Sequence, residues 1–295
     1  MAKKQELNER RARAAAIQAA QARRARAMTL AVGAIVVVVV LVLGLLLAYG
    51  LKKNHDKSVA KGSTYSGAAP AAVVDAVTNV PTSVYDSVGA GTAQGAPVAM
   101  TGQPAMTEDG KPRVLYVGAE FCPYCAAERW ALTTALSRFG TFKGIGVTRS
   151  SSTDTDPNTA TLDFKDATYT SKYLTFAPFE YEDRKGNLLQ KLSSSDDKLF
   201  TSIGNSGFPF VDFAGKYKIT GPQYDASVLA GLTQTQIASK LKDASSPITK
   251  SVIGSANLVS VALCDLTGNK PTAVCTSAGV KTAAAALKAA SKGSK

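Results

Sequence analysis

Two cysteines separated by two residues, Cys122 and Cys125, constrain this chain more than any other feature of its sequence. The apolar, β-favouring run at residues 114–117 precedes them and predicts a buried strand. Residues 126–139 follow them and are rich in helix formers, which predicts a helix. Pro123 falls at the first helical position, where proline is favoured because its missing N–H would have no partner there. The pattern therefore places Cys122 at a helix N-terminus.

This position indicates the chemistry of Cys122. Free backbone N–H groups and the helix dipole stabilise negative charge at a helix N-terminus, so the pKa of the Cys122 thiol is expected to be lowered. A lowered pKa makes a cysteine reactive near neutral pH. Cys125 lies one turn into the helix and is placed to close a disulfide with Cys122.

A second constraint lies upstream, where residues 29–51 carry no charge and are dominated by Val and Leu. At about 1.5 Å per residue they span a hydrocarbon core of about 30 Å, which predicts a single transmembrane helix. Eight Lys and Arg residues precede this segment, and four follow it within residues 52–61. Basic residues favour the cytoplasmic side, so we expect a cytoplasmic N-terminus and an extracytoplasmic main domain at the cell membrane.

Four parts follow from these boundaries. Residues 1–28 form a basic cytoplasmic arm on the anionic inner leaflet, 29–51 the transmembrane helix, 52–69 a linker, and 70–295 the extracytoplasmic domain. The net charge of +12 is concentrated in the flanks, since residues 1–28 carry +6 and 52–61 carry +3. The main domain is only weakly basic, so no nucleic-acid partner is expected.

The chain has two further cysteines, Cys264 and Cys275. In an oxidising compartment an even number of cysteines indicates disulfides, and four cysteines allow three pairings. The spacing favours a Cys264–Cys275 bridge that staples a loop, beside the Cys122–Cys125 pair. A second redox-active pair remains the alternative.

The rest of the domain contains strand and helix patterns. Residues 143–148 predict a second strand and residues 161–173 a hairpin. The sequence Gly207-Phe208-Pro209 opens an alternating run that turns at Gly215, which predicts another hairpin, and proline is tolerated at the first residue of a strand. From about residue 221 the pattern is helical, with a long apolar helix over 248–263.

This order of elements resembles the thioredoxin fold: a strand, Cys-Pro-Tyr-Cys opening a helix, then a Gly-Phe-Pro strand start and a hairpin. The dipeptide Pro123-Tyr124 is like that of glutaredoxins. The wider context, residues 118–132 and 137–140, is similar to a family of membrane-anchored thioredoxin-like proteins in archaea and actinobacteria, catalogued as a domain of unknown function. The resemblance covers roughly residues 70–290.

The resemblance implies an α/β fold of thioredoxin type, with an insertion after the second strand, near residues 150–175, and a helical C-terminal extension. It implies that Cys122 attacks and Cys125 resolves. Pro209 would be a cis-proline facing the pair, and Phe208, Pro209, Pro123 and Tyr124 would contact substrate. Tyr116 stands where thioredoxins have a buried aspartate.

Three function classes remain open at this point. The first is a thiol–disulfide oxidoreductase without a cofactor, acting on protein thiols or disulfides and exchanging electrons with a redox partner. The second is a binding or scaffolding module in which the cysteines form only a structural disulfide. The third is a copper(I) chaperone using two thiolates, although the single histidine, His55, lies in the linker. No metal ion is expected under the first hypothesis.

Overall fold

The computed structural model describes residues 66–293. The predicted basic arm at residues 1–28, the predicted transmembrane helix at 29–51 and most of the predicted linker at 52–69 lie outside the described residues.

The described part of the chain is a mixed α/β structure. Its strands are β1 (Gly67–Ala68), β2 (Val98–Ala99), β3 (Thr107–Glu108), β4 (Lys111–Ala119), β5 (Thr141–Lys143), β6 (Gly146–Arg149), β7 (Ala160–Asp163), β8 (Thr168–Thr170), β9 (Thr175–Glu182), β10 (Phe210–Phe213) and β11 (Tyr217–Thr220). Its helices are α1 (Ala71–Thr78), α2 (Thr82–Val88), α3 (Pro123–Leu136), α4 (Ser194–Ser202), α5 (Gln234–Lys240), α6 (Pro247–Leu266), α7 (Thr272–Cys275) and α8 (Ala278–Gly293), with a 3-10 helix at Ala226–Leu229.

Strand β4 organises a six-stranded sheet. On one side β10 runs antiparallel to β4 and is followed by β11 and β2. On the other side β9 runs parallel to β4, and β3 pairs with the first residues of β4. Pro178 lies within β9, which has no strand on its outer side among residues 66–293, and an edge strand tolerates a residue without an N–H.

The two faces of this sheet are covered by different helices. Val114 and Tyr116 of β4 belong to the large hydrophobic core that includes α3 and α6. Leu115 and Val117 belong to a smaller core with Phe200 of α4. Because successive strand residues point to opposite faces, this alternation buries both sides of β4 and explains its continuous apolar sequence.

Helix α3 begins as the sequence predicts. Cys122 is its N-cap and Pro123 its first helical residue. The helix ends at Leu136 instead of Phe139, and Gly140 donates a backbone hydrogen bond to the Leu136 carbonyl just beyond it. Every residue of α3 except Tyr124 is buried, so the helix packs on all sides and not through one apolar stripe.

The predicted second strand does not join the sheet of β4. Residues 143–148, predicted as that strand, span the end of β5 and most of β6, and neither strand belongs to the six-stranded sheet. The strand parallel to β4 is β9, so the additional strands β5 to β8 lie before it. The hairpin predicted at 161–173 is wrong, because β7 pairs with β6 and β8 pairs with β5.

The long apolar helix predicted at 248–263 is confirmed as α6, Pro247–Leu266. Among the described residues it alone is long and apolar enough to cross a membrane, but most of it is buried against other parts of the protein. It packs on α3 and α8 as a core helix.

Cys264 of α6 and Cys275 of α7 form a disulfide, with their Cα atoms 5.6 Å apart. The adjacent Asp265 forms an ion pair with Lys216 and accepts a hydrogen bond from the Tyr217 hydroxyl at the turn between β10 and β11. The opposite end of β10, at Phe210, pairs with Val117 beside the start of α3. The disulfide therefore lies at the far end of the sheet from Cys122 and Cys125.

Candidate active site

The strand-to-helix junction after β4 brings the two cysteines of the motif together. Cys122 and Cys125 are free thiols, with 5% and 0% of their surface exposed. The Cys125 backbone N–H donates a hydrogen bond to Cys122 Sγ at 3.3 Å. The Ala119 N–H donates to Cys125 Sγ at 3.4 Å. Each sulfur therefore has one backbone donor directed at it.

The two thiols differ in acidity. Hydrogen bonding from the Cys125 side chain lowers the pKa of Cys122 against the opposing effect of burial, with further help from the Cys125 backbone N–H and the Arg129 charge. Burial raises the pKa of Cys125 well above its ordinary value, and the neighbouring Cys122 raises it further. As the pH rises Cys122 is thus the thiol that ionises first, while Cys125 is kept as a buried thiol.

A buried ion pair lies beneath the cysteines. The side chains of Arg129, on α3, and Glu180, on β9, are both 0% exposed. Arg129 Nε donates to Glu180 Oε1 at 2.8 Å, and Arg129 Nη2 donates to the second carboxylate oxygen. The same Nη2 also donates to the Ala119 carbonyl oxygen at 3.0 Å. Neither residue was among the candidates predicted from the sequence, although Arg129 lies four residues after Cys125 and therefore on the same helix face.

Tyr116 occupies the position at which the resemblance to thioredoxins implies an aspartate. Its side chain is fully buried, and its hydroxyl makes no hydrogen bond within residues 66–293. Burial raises the pKa of Tyr116 well above its ordinary value, so the hydroxyl stays neutral. It lies near enough to Arg129, Glu180 and Cys125 for their charges to act on it.

Phe208 covers the cysteine pair from the strand side. It packs on the cluster of Ala119, Cys122 and Cys125, and the peptide bond between Phe208 and Pro209 is cis. The Phe208 ring makes an edge contact with Phe121, with ring centroids 6.0 Å apart.

Accessibility differs among the residues predicted to contact substrate. Pro123 and Pro209 are buried, whereas Tyr124 is 38% exposed and Phe208 is partly exposed. Tyr124 and Phe208 therefore supply most of the accessible surface that this set presents beside Cys122. Cys264 and Cys275 take no part in this site, since their disulfide is at the other end of the sheet.

A groove of about 390 Å³ lies next to Phe121 on the surface of the protein. Its polar walls come from two segments, and its lining residues are Phe121, Ser151, Thr153, Asp154, Glu182, Arg184, Lys185 and Gly186. The Ser151 N–H donates to the Phe121 carbonyl at 2.8 Å, which ties the loop after β6 to the cysteine motif. Sequence reasoning gave no indication of this groove, because it depends on contacts between segments far apart in the chain.

The described residues contain no group of three or more His, Cys, Asp and Glu side chains placed to hold a metal ion. Within the described residues, the copper(I) chaperone alternative therefore rests on the two thiols alone.

A protein-family model described as "Domain of unknown function (DUF929)" matches residues 97–265, which is more than half of the chain. No curated protein matches the chain, and no solved structure matches it. The matched region contains β4, the cysteine motif, α3 and the hairpin of β10 and β11.

Proposed function

This chain belongs to the DUF929 family, and we propose that it is a membrane-anchored, extracytoplasmic thiol–disulfide oxidoreductase that acts through Cys122 and Cys125. The protein clients carry thiols or disulfides, and a second dithiol or disulfide protein exchanges electrons with the pair. No cofactor is required for this chemistry.

The observation that carries the proposal is the unequal environment of the two thiols. Cys122 is the N-cap of α3 with a lowered pKa, and Cys125 is a fully buried thiol with a raised pKa. A purely structural cysteine pair has no need of this difference. A thiol–disulfide exchange enzyme needs this difference, because one sulfur must attack as a thiolate and the other must stay unreactive until the mixed disulfide has formed.

The topology supports a thioredoxin-like arrangement within this proposal. A central strand, β4, leads into the cysteine helix α3, a parallel strand, β9, flanks β4 on one side, and an antiparallel hairpin, β10 and β11, flanks it on the other. The hairpin begins directly after the cis bond at Phe208-Pro209. The strands β5 to β8 are then an insertion between α3 and β9.

The reaction proceeds in two exchanges. The Cys122 thiolate attacks one sulfur of a client disulfide, which forms a mixed disulfide and releases the other client sulfur as a thiolate that takes up a proton. Cys125 then loses its proton and attacks Cys122 Sγ, which forms the Cys122–Cys125 disulfide and releases the second client thiolate. The client gains two electrons and the protein loses two, and the reverse sequence oxidises a client dithiol.

Partly exposed aromatic side chains form the surface on which a client would dock. Phe121 and Phe208 pack against Cys122 and its neighbours, and the exposed Tyr124 lies two residues after Cys122 in the chain. Phe208 also stacks on Phe200 with ring centroids 5.3 Å apart. Such a surface favours apolar residues beside the client disulfide, because their burial removes apolar area from water.

The experiment that tests the proposal traps the mixed disulfide. Cys125→Ser, expressed as the full membrane-bound chain, is expected to accumulate client adducts through Cys122 that dissolve on reduction. The matched control is Cys122→Ser with Cys125 intact, which is expected to trap little because Cys125 is buried. Adducts are identified by mass spectrometry after acid quenching.

Equilibration with glutathione provides the second readout, using the full chain in detergent. A reduction potential between about −120 and −270 mV places the pair among exchange enzymes. A pair that stays oxidised below about −300 mV, together with no adducts from Cys125→Ser, would refute the enzyme and leave the binding or scaffolding module.

A further inference from the structure

A single residue at the end of β4 connects the buried thiol to the buried ion pair. The Ala119 N–H donates to Cys125 Sγ at 3.4 Å, and the Ala119 carbonyl oxygen accepts from Arg129 Nη2 at 3.0 Å. The same carbonyl also accepts from the Cys122 N–H at 3.2 Å. Arg129 therefore holds the carbonyl of Ala119, the residue whose backbone is hydrogen-bonded to Cys125 through its N–H and to Cys122 through its carbonyl.

The ion pair of Arg129 and Glu180 is expected to contribute little net stability to the fold. Both side chains are fully buried, so both charges lose their hydration, and replacing such a pair by apolar residues is often neutral or stabilising. Arg129 Nη1 also makes no hydrogen bond with the described part of the chain. A buried charge does, however, act over several ångströms because the protein interior screens it poorly.

The field of Arg129 reaches the thiols. Its positive charge lowers the pKa of Cys122 and opposes the burial effect on Cys125. Glu180 lies on β9, the parallel neighbour of β4, and contacts Arg129 directly, so its negative charge compensates part of that field.

Other titratable groups face the same region from the surrounding elements. Tyr116 comes from β4 and stays neutral. Glu120 follows β4, and Asp163 ends β7. Burial raises the pKa of each of these two carboxyls. Asp163 raises that of Glu120 further, and the charge of Glu180 raises both, so the three carboxyls act in the same direction. Arg129 is the positive side chain that acts on both cysteines in this group.

We propose that Arg129 and Glu180 are positioning residues that set the reduction potential of the Cys122–Cys125 pair, Arg129 by favouring the thiolate and holding Ala119, and Glu180 by limiting that effect. The inference deepens the proposed function and rests on it. It assigns opposite effects to the two members of one ion pair.

The test measures the glutathione equilibrium of the full chain in detergent from pH 6 to pH 9, with the redox state read by mass spectrometry. Glu180→Gln leaves the charge of Arg129 uncompensated, so the reduced form is expected to gain stability. Arg129→Met removes the charge that favours the thiolate, so the reduced form is expected to lose stability. Each change in the equilibrium constant is expected to approach tenfold at pH 9, which corresponds to about 30 mV.

The pH dependence separates this role from a structural one. At pH values well below the pKa of Cys122 both thiols are protonated, so the potentials of the three proteins should nearly coincide there. They should separate with opposite signs as the pH rises through the pKa of Cys122, because the charges act on the thiolate. Tyr116→Phe is the matched control, since it alters the same buried region without changing a charge, and its potential should follow the wild type throughout.

Shifts of the same sign in both variants, or no shift in either, would overturn the inference. If Arg129→Met does not fold, Glu180→Gln decides alone, because a potential that is unchanged or more negative contradicts the assignment. The rate at which iodoacetamide alkylates Cys122, measured against pH, gives the thiol pKa without any exchange reaction. Opposite pKa shifts with no glutathione equilibrium would therefore refute the proposed function and not the electrostatic assignment.

Discussion

Glu128 offers the sharpest test of the physical description, because the carboxyl group of this α3 residue is buried without a strong partner. Its side chain is 0% exposed, and neither carboxyl oxygen accepts a hydrogen bond from the described residues. Burial raises the pKa of Glu128 to about 8, and the Gln223 backbone offsets only part of that effect. We expect Glu128→Gln to make the protein more stable than the wild type at alkaline pH.

The sign and size follow from proton linkage. The ordinary pKa of this carboxyl is 4.5, so between pH 4.5 and about 8 the native state holds a proton that the unfolded state has lost. The stability contributed by that proton is complete below pH 4.5 and falls as the pH rises through this window. Each pKa unit corresponds to about 1.4 kcal/mol, so the loss is about 3 kcal/mol by pH 7 and about 5 kcal/mol above pH 8.

Urea unfolding at pH 5 and pH 8 measures this effect. Trp130 is the single tryptophan of the chain and is fully buried, so its fluorescence reports unfolding of this domain. The free energy of unfolding should fall between the two pH values in the wild type by several kcal/mol more than in Glu128→Gln. Asp212, whose pKa is raised to about 6, contributes equally to both proteins and cancels in the comparison.

The control for this experiment is Asp109→Asn, in the exposed turn between β3 and β4, where asparagine tolerates the positive φ of 52°. It makes the same change of charge without affecting a buried group, and it should retain the pH dependence of the wild type. Equal pH dependence in Glu128→Gln and the wild type would refute the assignment of a neutral, buried Glu128.

Two further predictions concern the disulfide and the aromatic cover. Replacing Cys264 and Cys275 by serine should lower the free energy of unfolding by about 2.8 kcal/mol, because the unfolded chain regains the closure entropy of a loop with a sequence separation of 11. The same change should leave the glutathione equilibrium of Cys122 unchanged. A large shift in that equilibrium would contradict a structural disulfide. Phe208→Ala should increase the alkylation rate of Cys122 at fixed pH several-fold, because Phe208 packs over the pair, and an unchanged rate measured by mass spectrometry would contradict that packing.

The local elements around the cysteines could be predicted from the sequence because their signals are local. The apolar run at residues 114–117 lies within β4, and Pro123 is the first residue of α3 as expected. The alternating run after Pro209 with its turn at Gly215 gave the hairpin of β10 and β11. Strand, helix-start and turn preferences depend on neighbouring residues, which a single sequence provides.

Strand pairing was not predictable in the same way. Residues 143–148 and the residues of β9 are both β-favouring, and nothing local indicates which of them lies beside β4. Pro178 within residues 175–181 favours an edge strand or a bulge, and β9 is indeed an edge strand, with β4 its neighbour in the described structure. The strand that runs beside β4 could therefore not be identified from the sequence.

The buried charges beneath the cysteines also escaped the sequence analysis. Arg129 and Glu180 are 51 residues apart, and charged residues in a helix or strand are ordinarily assigned to the surface. The spacing of four between Cys125 and Arg129 was available as a signal for one helix face. The ion-pair partner of Arg129 could not be predicted in this way, because Glu180 reaches Arg129 only through the parallel pairing of β9 with β4.

Two neighbouring residues of α3, Glu128 and Arg129, avoid an unpaired buried charge in different ways, and the difference affects the thiols. Arg129 keeps its charge because Glu180 pairs with it, whereas Glu128 is neutralised by a proton up to about pH 8. Helix α3 therefore carries a permanent positive charge beneath the cysteines and no opposing negative charge of its own near neutral pH. Raising the pH ionises Cys122, which favours attack, but it also ionises Glu128, which destabilises the helix that holds Cys122. Above neutral pH the reactivity of Cys122 thus rises while the stability of the fold falls. A lowered pKa of Cys122 supplies the thiolate without an alkaline environment, in which the fold is less stable.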